Sequence, residues 1–225
     1  VNDDFDDIIT KYEKRKSTAD AAENKSVYLF NRFMVDERNK IYREIVFSQF
    51  KDPSEIKILE IGAGSGGNLR FFQSIGIKPE NCYANDIIPE RAEQLRSNLP
   101  GSVVSQCNAL ELDYNNEFDI VFQSTVFTSV QKKENRQLLA DKMKKMVKPD
   151  GIILWYDFMY DNPKNKDVSG INKKEIMSLF SNCSLIFFKK VTLAPPIGRR
   201  TGKLYPFFNL FRFLRTHCIA VFKKQ

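Results

Sequence analysis

"ILEIGAGSGGNL", residues 58–69, decides the fold. A short apolar strand ends at Glu60, a glycine-rich turn follows, and a helix starts near Gly67. Gly62, Gly64 and Gly67 keep a Gly-x-Gly-x-x-Gly spacing. Glycine lets the backbone turn sharply and approach a ligand closely. Amides at a helix start favour an anionic group. The next strand, "NCYANDI" (81–87), ends at Asp86. An acid about 20 residues beyond such a turn can take both ribose hydroxyls.

Working outward, "SVVSQC" (102–107), "FDIVFQS" (118–124) and "GIILWYDF" (151–158) read as further strands, with helical stretches at 67–75, 89–98 and 131–146. Strand alternating with helix predicts an α/β fold, a Rossmann-like, mostly parallel sheet with helices on both faces. A helix near 172–180, then "SLIFFKKVTL" (184–193) and "HCIAVFKK" (217–224), predicts seven strands with the last antiparallel. Residues 1–50 read as helical: Leu29, Phe33, Ile41, Ile45 and Phe47 stand near helical spacing, and Pro53 ends the run. The expected organisation is a helical cap over 1–53 and the α/β domain over 54–225, with an insertion at 194–216 between strands six and seven.

The chain has 225 residues, 42% of them hydrophobic, and a net charge of +7. It has no apolar run of membrane-spanning length. The acidic N-terminus lacks the basic-then-apolar order of a signal peptide, which predicts a cytoplasmic protein. Four scattered cysteines and one histidine predict reduced thiols and no metal site. After Glu175 there is no acid, while nine Lys or Arg follow. Such a run is either a solvated edge or a surface that meets phosphates.

The glycine turn leaves the cofactor open between a dinucleotide and S-adenosylmethionine. The motifs "LEIGAGSG", "ANDI", "CNALEL", "FDIVFQSTVFTSV" and "MVKPDGIILWYDF", in that order, resemble the class I S-adenosylmethionine-dependent methyltransferases over about residues 55–225. The resemblance implies S-adenosylmethionine as cofactor. It implies that Glu60 reads the methionine amine, that Gly62, Ala63 and Gly64 pass close to the cofactor, and that Asp86 and Ile87 meet the ribose side. Asn108 and Ala109 stand where the family places an acid and a small residue against adenine, the asparagine being a departure. Gln123 closes strand four beside the expected methyl group. "SLIFFKKVTL" and "HCIAVFKK" resemble the terminal β-hairpin of this class, which argues against a hydride-transfer enzyme, and a non-catalytic S-adenosylmethionine binder is the other alternative.

For the acceptor, "QSTVF" after strand four lacks the Asn/Asp-Pro-Pro-Tyr/Phe of adenine-amine methylation, and the chain has no Pro-Cys nucleophile. Nucleic acid is therefore disfavoured, with an RNA methyltransferase as the alternative. "WYDFMYDNPKNKDVSGINKKEI", "LAPPIGRR" and "LRTH" resemble methyltransferases of bacterial surface-polysaccharide (O-antigen and capsule) genes. That implies O-methylation of a sugar or sugar phosphate, on a glycan or lipid-linked acceptor.

Topology places Asp157, at the end of strand five, and His217, at the start of the antiparallel strand, on one rim. They are the expected catalytic pair, an imidazole base held by a carboxylate. Arg199, Arg200, Arg215 and Tyr205 are the expected substrate contacts. The stretch "LYPFFNLFRFLRTH" (204–217) holds four phenylalanines and two arginines. Pro206 can start a helix, with Phe207, Phe208, Phe211 and Leu214 on one face. That face is expected to be an inward lid, with a peripheral membrane contact or a homodimer contact as alternatives.

Overall fold

The computed structural model describes residues 25–161, 165 and 167–225. The expected helical residues before Lys25, and part of the "MYDNPKN" loop, lie outside them. Helix α1 spans Lys25–Gln49. The strands are β1 (Ile58–Ile61), β2 (Cys82–Asp86), β3 (Val103–Gln106), β4 (Phe118–Ser124), β5 (Val147–Phe158), β6 (Cys183–Leu193) and β7 (Arg215–Lys224). Between them run α2 (Gly67–Ser74), α3 (Pro89–Asn98), α4 (Lys133–Met146), α5 (Lys173–Leu179) and, between β6 and β7, α6 (Pro195–Thr201) and α7 (Tyr205–Phe208).

The seven strands form one sheet in the order β3-β2-β1-β4-β5-β7-β6. All pairs are parallel except those of β7, which runs antiparallel to both β5 and β6. Central strands are buried on both faces, so neighbouring residues serve opposite cores. Leu59, Val121, Trp155 and Phe222 pack on one side with Phe127, Leu139 and Phe180. Ile58, Ile120, Phe122, Tyr156 and Val221 pack on the other with Phe72 of α2 and Tyr42 of α1.

Helix ends follow local chemistry. Pro89 opens α3, with Glu90 in its first turn and Arg96 in its last, the charge order that suits the helix dipole. The Asn172 side chain accepts from the Glu175 amide at 3.0 Å to start α5.

Helix α1 is phased differently from the sequence expectation. Its buried face is Phe30, Ile41, Tyr42, Ile45 and Val46, while Phe47 is exposed. In the same phase, Glu37 and Arg38 interrupt the apolar stripe. That gap lies where the helix passes the carboxyl ends of the strands. There α6 meets α1 so closely that a Cβ on Gly198 would stand 2.3 Å from the Phe30 ring.

Candidate active site

The β1–α2 turn is built from left-handed glycines, with φ of 63° at Gly62 and 59° at Gly64. A Cβ on Gly62 would meet Val126 at 2.5 Å. Asp86, 2% exposed, accepts from the Gly64 amide at 2.9 Å and the Ile88 amide at 3.0 Å. Arg91 stands 3.6 Å from the same carboxylate. The turn and the acid are thus one unit. They line a cleft of about 350 Å³ with Glu60, Ala63, Asn68, Ile87, Ala109, Ser124, Thr125, Ser129 and Asp167.

Asn108 does not line this cleft. Its Oδ1 accepts from the Leu110 amide at 3.0 Å, which caps the short 3-10 turn that presents Ala109. Gln123 is likewise a brace. It is fully buried, accepts from the Val126 amide at 3.1 Å and donates to the Tyr156 carbonyl at 3.4 Å. The turn it braces holds Thr125 at φ 59°. A β-branched residue there stores strain, a cost that clusters at functional sites.

Glu60 is 1% exposed, with Oε1 accepting from Asn68 Nδ2 at 2.6 Å. Burial raises its pKa to about 8, opposed by the Asn68 bond and the charge of Arg38. Three buried polar atoms near one another have no hydrogen-bond partner: Glu60 Oε2, Tyr42 OH and Arg38 Nε. Arg38 acts electrostatically on both Glu60 and Tyr42. Unserved polar atoms in a dry site are costly unless a ligand completes them. Of the three, Glu60 lines the cleft, and its carboxylate would take the amine of an amino-acid group, with the Arg38 charge behind it. With Asp86 for a ribose, the residues present fit S-adenosylmethionine. The sequence signal for the α1 contribution is a charged pair on a buried helix stripe.

The expected Asp157–His217 pair does not form. On β7 the partner of Asp157 is Cys218, and His217 pairs with Phe158. Neighbouring residues of a strand face opposite sides, so the carboxylate and the imidazole leave the sheet in opposite directions. Asp157 accepts from Thr128 Oγ1 at 2.7 Å and from the Phe158 amide at 3.0 Å. Burial lifts its pKa to about 7. His217 stacks on Tyr156 with ring centroids 5.3 Å apart, and the Arg38 guanidinium covers the Tyr156 ring at 4.7 Å. Burial, then the Arg38 charge, lowers the His217 pKa to about 4. Such an imidazole is neutral at pH 7 and a weak base.

Two expected substrate contacts are structural. Arg215 donates to the Asn209 carbonyl at 2.8 Å and the Lys190 carbonyl at 3.0 Å. Tyr205, 2% exposed, stacks on Phe33 with centroids 5.3 Å apart. Glu37 ties this region down, accepting from the Thr192 amide at 3.0 Å, Asn209 Nδ2 at 2.9 Å and the Tyr205 hydroxyl at 3.4 Å. Arg199 and Arg200 are exposed at the end of α6.

The expected aromatic lid helix does not form either. Helix α7 stops at Phe208, because the Asn209 carbonyl is taken by Arg215 and its side chain by Glu37. From Phe207 onward several apolar side chains face solvent. Phe207 is 57% exposed and Phe213 79%, while Tyr205 packs inward with Phe30 and Leu193.

Residues 59–155 match a family model described as "Methyltransferase domain". A comparison with curated proteins finds no match. Among solved structures, the magnesium protoporphyrin IX methyltransferase (ChlM) from Synechocystis PCC 6803 with bound SAH is similar at a TM-score of 0.68 and 10% identity, covering 96% of this chain and 94% of that one. The Burkholderia thailandensis 1,6-didemethyltoxoflavin-N1-methyltransferase, with S-adenosylhomocysteine bound, reaches 0.61 at 17% identity, with 91% of each chain covered. The [4+2]-cyclase SpnF reaches 0.59 at 11% identity, covering 83% of this chain and 80% of that one. At these identities the likeness speaks for the fold, which hosts more than one chemistry. Among the described residues, no helix is long and apolar enough to cross a membrane. The matched family model and the glycine-turn cleft point the same way: residues 59–155 resemble a methyltransferase domain, and the strands that follow complete the fold shared with the solved structures.

Proposed function

We propose that the protein moves the methyl group of S-adenosylmethionine to a hydroxyl of a sugar or sugar phosphate, in the assembly of surface polysaccharide. The observation that carries this reading is the set of small polar residues in the lining of the cleft. Ser124, Thr125, Ser129 and Asp167 are among its lining residues, while the nearby rings of Phe127 and Tyr156 are buried in the two cores. Small polar groups of this kind hydrogen-bond a hydroxyl-rich acceptor.

When bound, the cofactor supplies a methyl group already activated on a sulfonium. Glu60 would hold its amino-acid end, and Asp86 its ribose. The braced turn at Gln123–Val126 fixes the wall against which the acceptor aligns. Asp167 would accept the proton of the attacking hydroxyl, the role that the sequence predicts for His217. A phosphate acceptor would dispense with that base, and Arg199 and Arg200 remain available to it.

The test is methyl-labelled cofactor against soluble glycans, lipid-linked sugars and RNA. Label in a glycan or lipid-linked sugar, with Asp167→Asn lowering turnover about 10²–10⁴-fold at unchanged cofactor affinity, is the expected result. Label in RNA alone overturns the acceptor assignment.

A further inference from the structure

Between β6 and β7 the protein leaves apolar side chains in solvent that its cores do not use. Leu204 is 61% exposed and Leu210 70%, beside Phe207 and Phe213. The rings form a connected surface: Phe207 and Phe211 lie 5.7 Å apart, Phe211 and Phe213 5.9 Å. Exposed contiguous apolar surface marks an interaction site. Arg199, Arg200, Lys203 and Arg212 are exposed in the same segment, and the sequence after Glu175 supplies no acid to offset them. The acid that reaches the segment from α1, Glu37, is occupied beneath it by Thr192, Asn209 and Tyr205.

We infer that residues 204–213 are a foot that seats the protein on an anionic phospholipid bilayer. Charge and shape select that occupant. Aromatic and leucine side chains on a short protrusion enter the headgroup boundary, and arginine or lysine around them meets lipid phosphates. The protrusion is held rigidly by the Glu37 and Arg215 bonds, so little ordering entropy is lost on docking. Position adds a consequence. The segment joins the carboxyl end of β6 to the start of β7, the edge where the cleft opens. Strand β7 stands two places from β4, about 10 Å at the usual strand spacing. A docked foot therefore keeps the cleft mouth close to the bilayer surface. The inference does not depend on which acceptor is methylated.

The experiment is co-sedimentation of the full chain with phosphatidylcholine vesicles containing phosphatidylglycerol, against pure phosphatidylcholine. Binding to the anionic vesicles is expected, weakening with salt. Phe207→Ser with Phe213→Ser should cut partitioning at least about tenfold, since both rings leave the apolar contact. Lys203→Gln with Arg212→Gln should cut it by about fivefold per cation removed. All four side chains are exposed, so an unchanged melting temperature verifies the fold. As a second measurement, Phe213→Trp should shift its fluorescence to the blue on anionic vesicles. Failure to sediment and to shift overturns the inference. So does self-association in analytical ultracentrifugation that the double serine variant abolishes without any vesicle binding, which would make the patch a contact between copies. Loss of turnover on a soluble acceptor without vesicle binding would make it a lid and overturn the inference as well.

Discussion

The turn at residues 62–67 and the connection at 194–216 both sit at the carboxyl edge of the sheet, and they are stabilised in opposite ways. In the first, Asp86 accepts from the Gly64 and Ile88 amides, so the geometry is set by groups close in sequence or on the adjacent strand. In the second, Glu37 reaches across the fold to Thr192, Asn209 and Tyr205. Local bonding makes a site readable from sequence. Distant bonding hides which side chains face inward, because the same aromatic run can serve a core, a lid or an exposed surface.

The largest expected effect is on the local side. Asp86→Ala removes a charged acceptor from the cofactor ribose and from two amides. Cofactor affinity measured by calorimetry should fall by about 1.5–3 kcal/mol, roughly ten- to a hundredfold. An unchanged affinity would separate the acid from the turn. Gly62→Val comes next. Its Cβ would meet Val126 at 2.5 Å at a positive φ, so stability should drop by about 1–3 kcal/mol in denaturant unfolding.

Glu60 gives a pH signature. Its carboxyl is protonated in the cofactor-free fold up to a pKa of about 8, above the ordinary glutamate value. The raised value means that its contribution is fully present below the unfolded pKa and is lost as pH rises through the folded one. Cofactor-free Glu60→Gln should therefore lose less stability than wild type between pH 5 and 8, measured as melting temperature. Binding of the cofactor's amine should release a proton near pH 7 in wild type and none in the variant, read from calorimetry in buffers of different ionisation heat. His217 has the opposite sign. Its pKa, lowered to about 4, favours the fold above the unfolded value near 6.5 and withdraws that support as pH falls between them.

The smallest expected effect tests the lost pair. Asp157→Asn and His217→Phe should act additively on turnover, with a coupling below about 0.5 kcal/mol. A coupling of several times that would restore the carboxylate–imidazole dyad.

The succession of strands and helices, the antiparallel last strand and the glycine turn were legible in sequence, because strand periodicity and glycine spacing are local signals. The departures share one cause. Asp157 and His217 meet the same edge, but a one-residue offset in cross-strand pairing sends them to opposite faces. Asn108 and Gln123 have the right place and the wrong direction, since nearby amides claim their side-chain oxygens. Arg215, whose charge suits an anionic substrate, is consumed by two carbonyls brought together by the fold.

By itself the sequence determined the class of the domain, its cofactor turn and the basic, aromatic character of its C-terminal quarter. Those follow from periodicity, backbone freedom at glycine and charge counting, none of which needs a neighbour distant in the chain. Only the tertiary structure decided that Arg38 and Tyr42 of α1 come to Glu60, that His217 lies under Tyr156, and that Phe207 and Phe213 face solvent. Each depends on register or on packing between elements far apart in the chain, where a shift of one residue reverses the outcome.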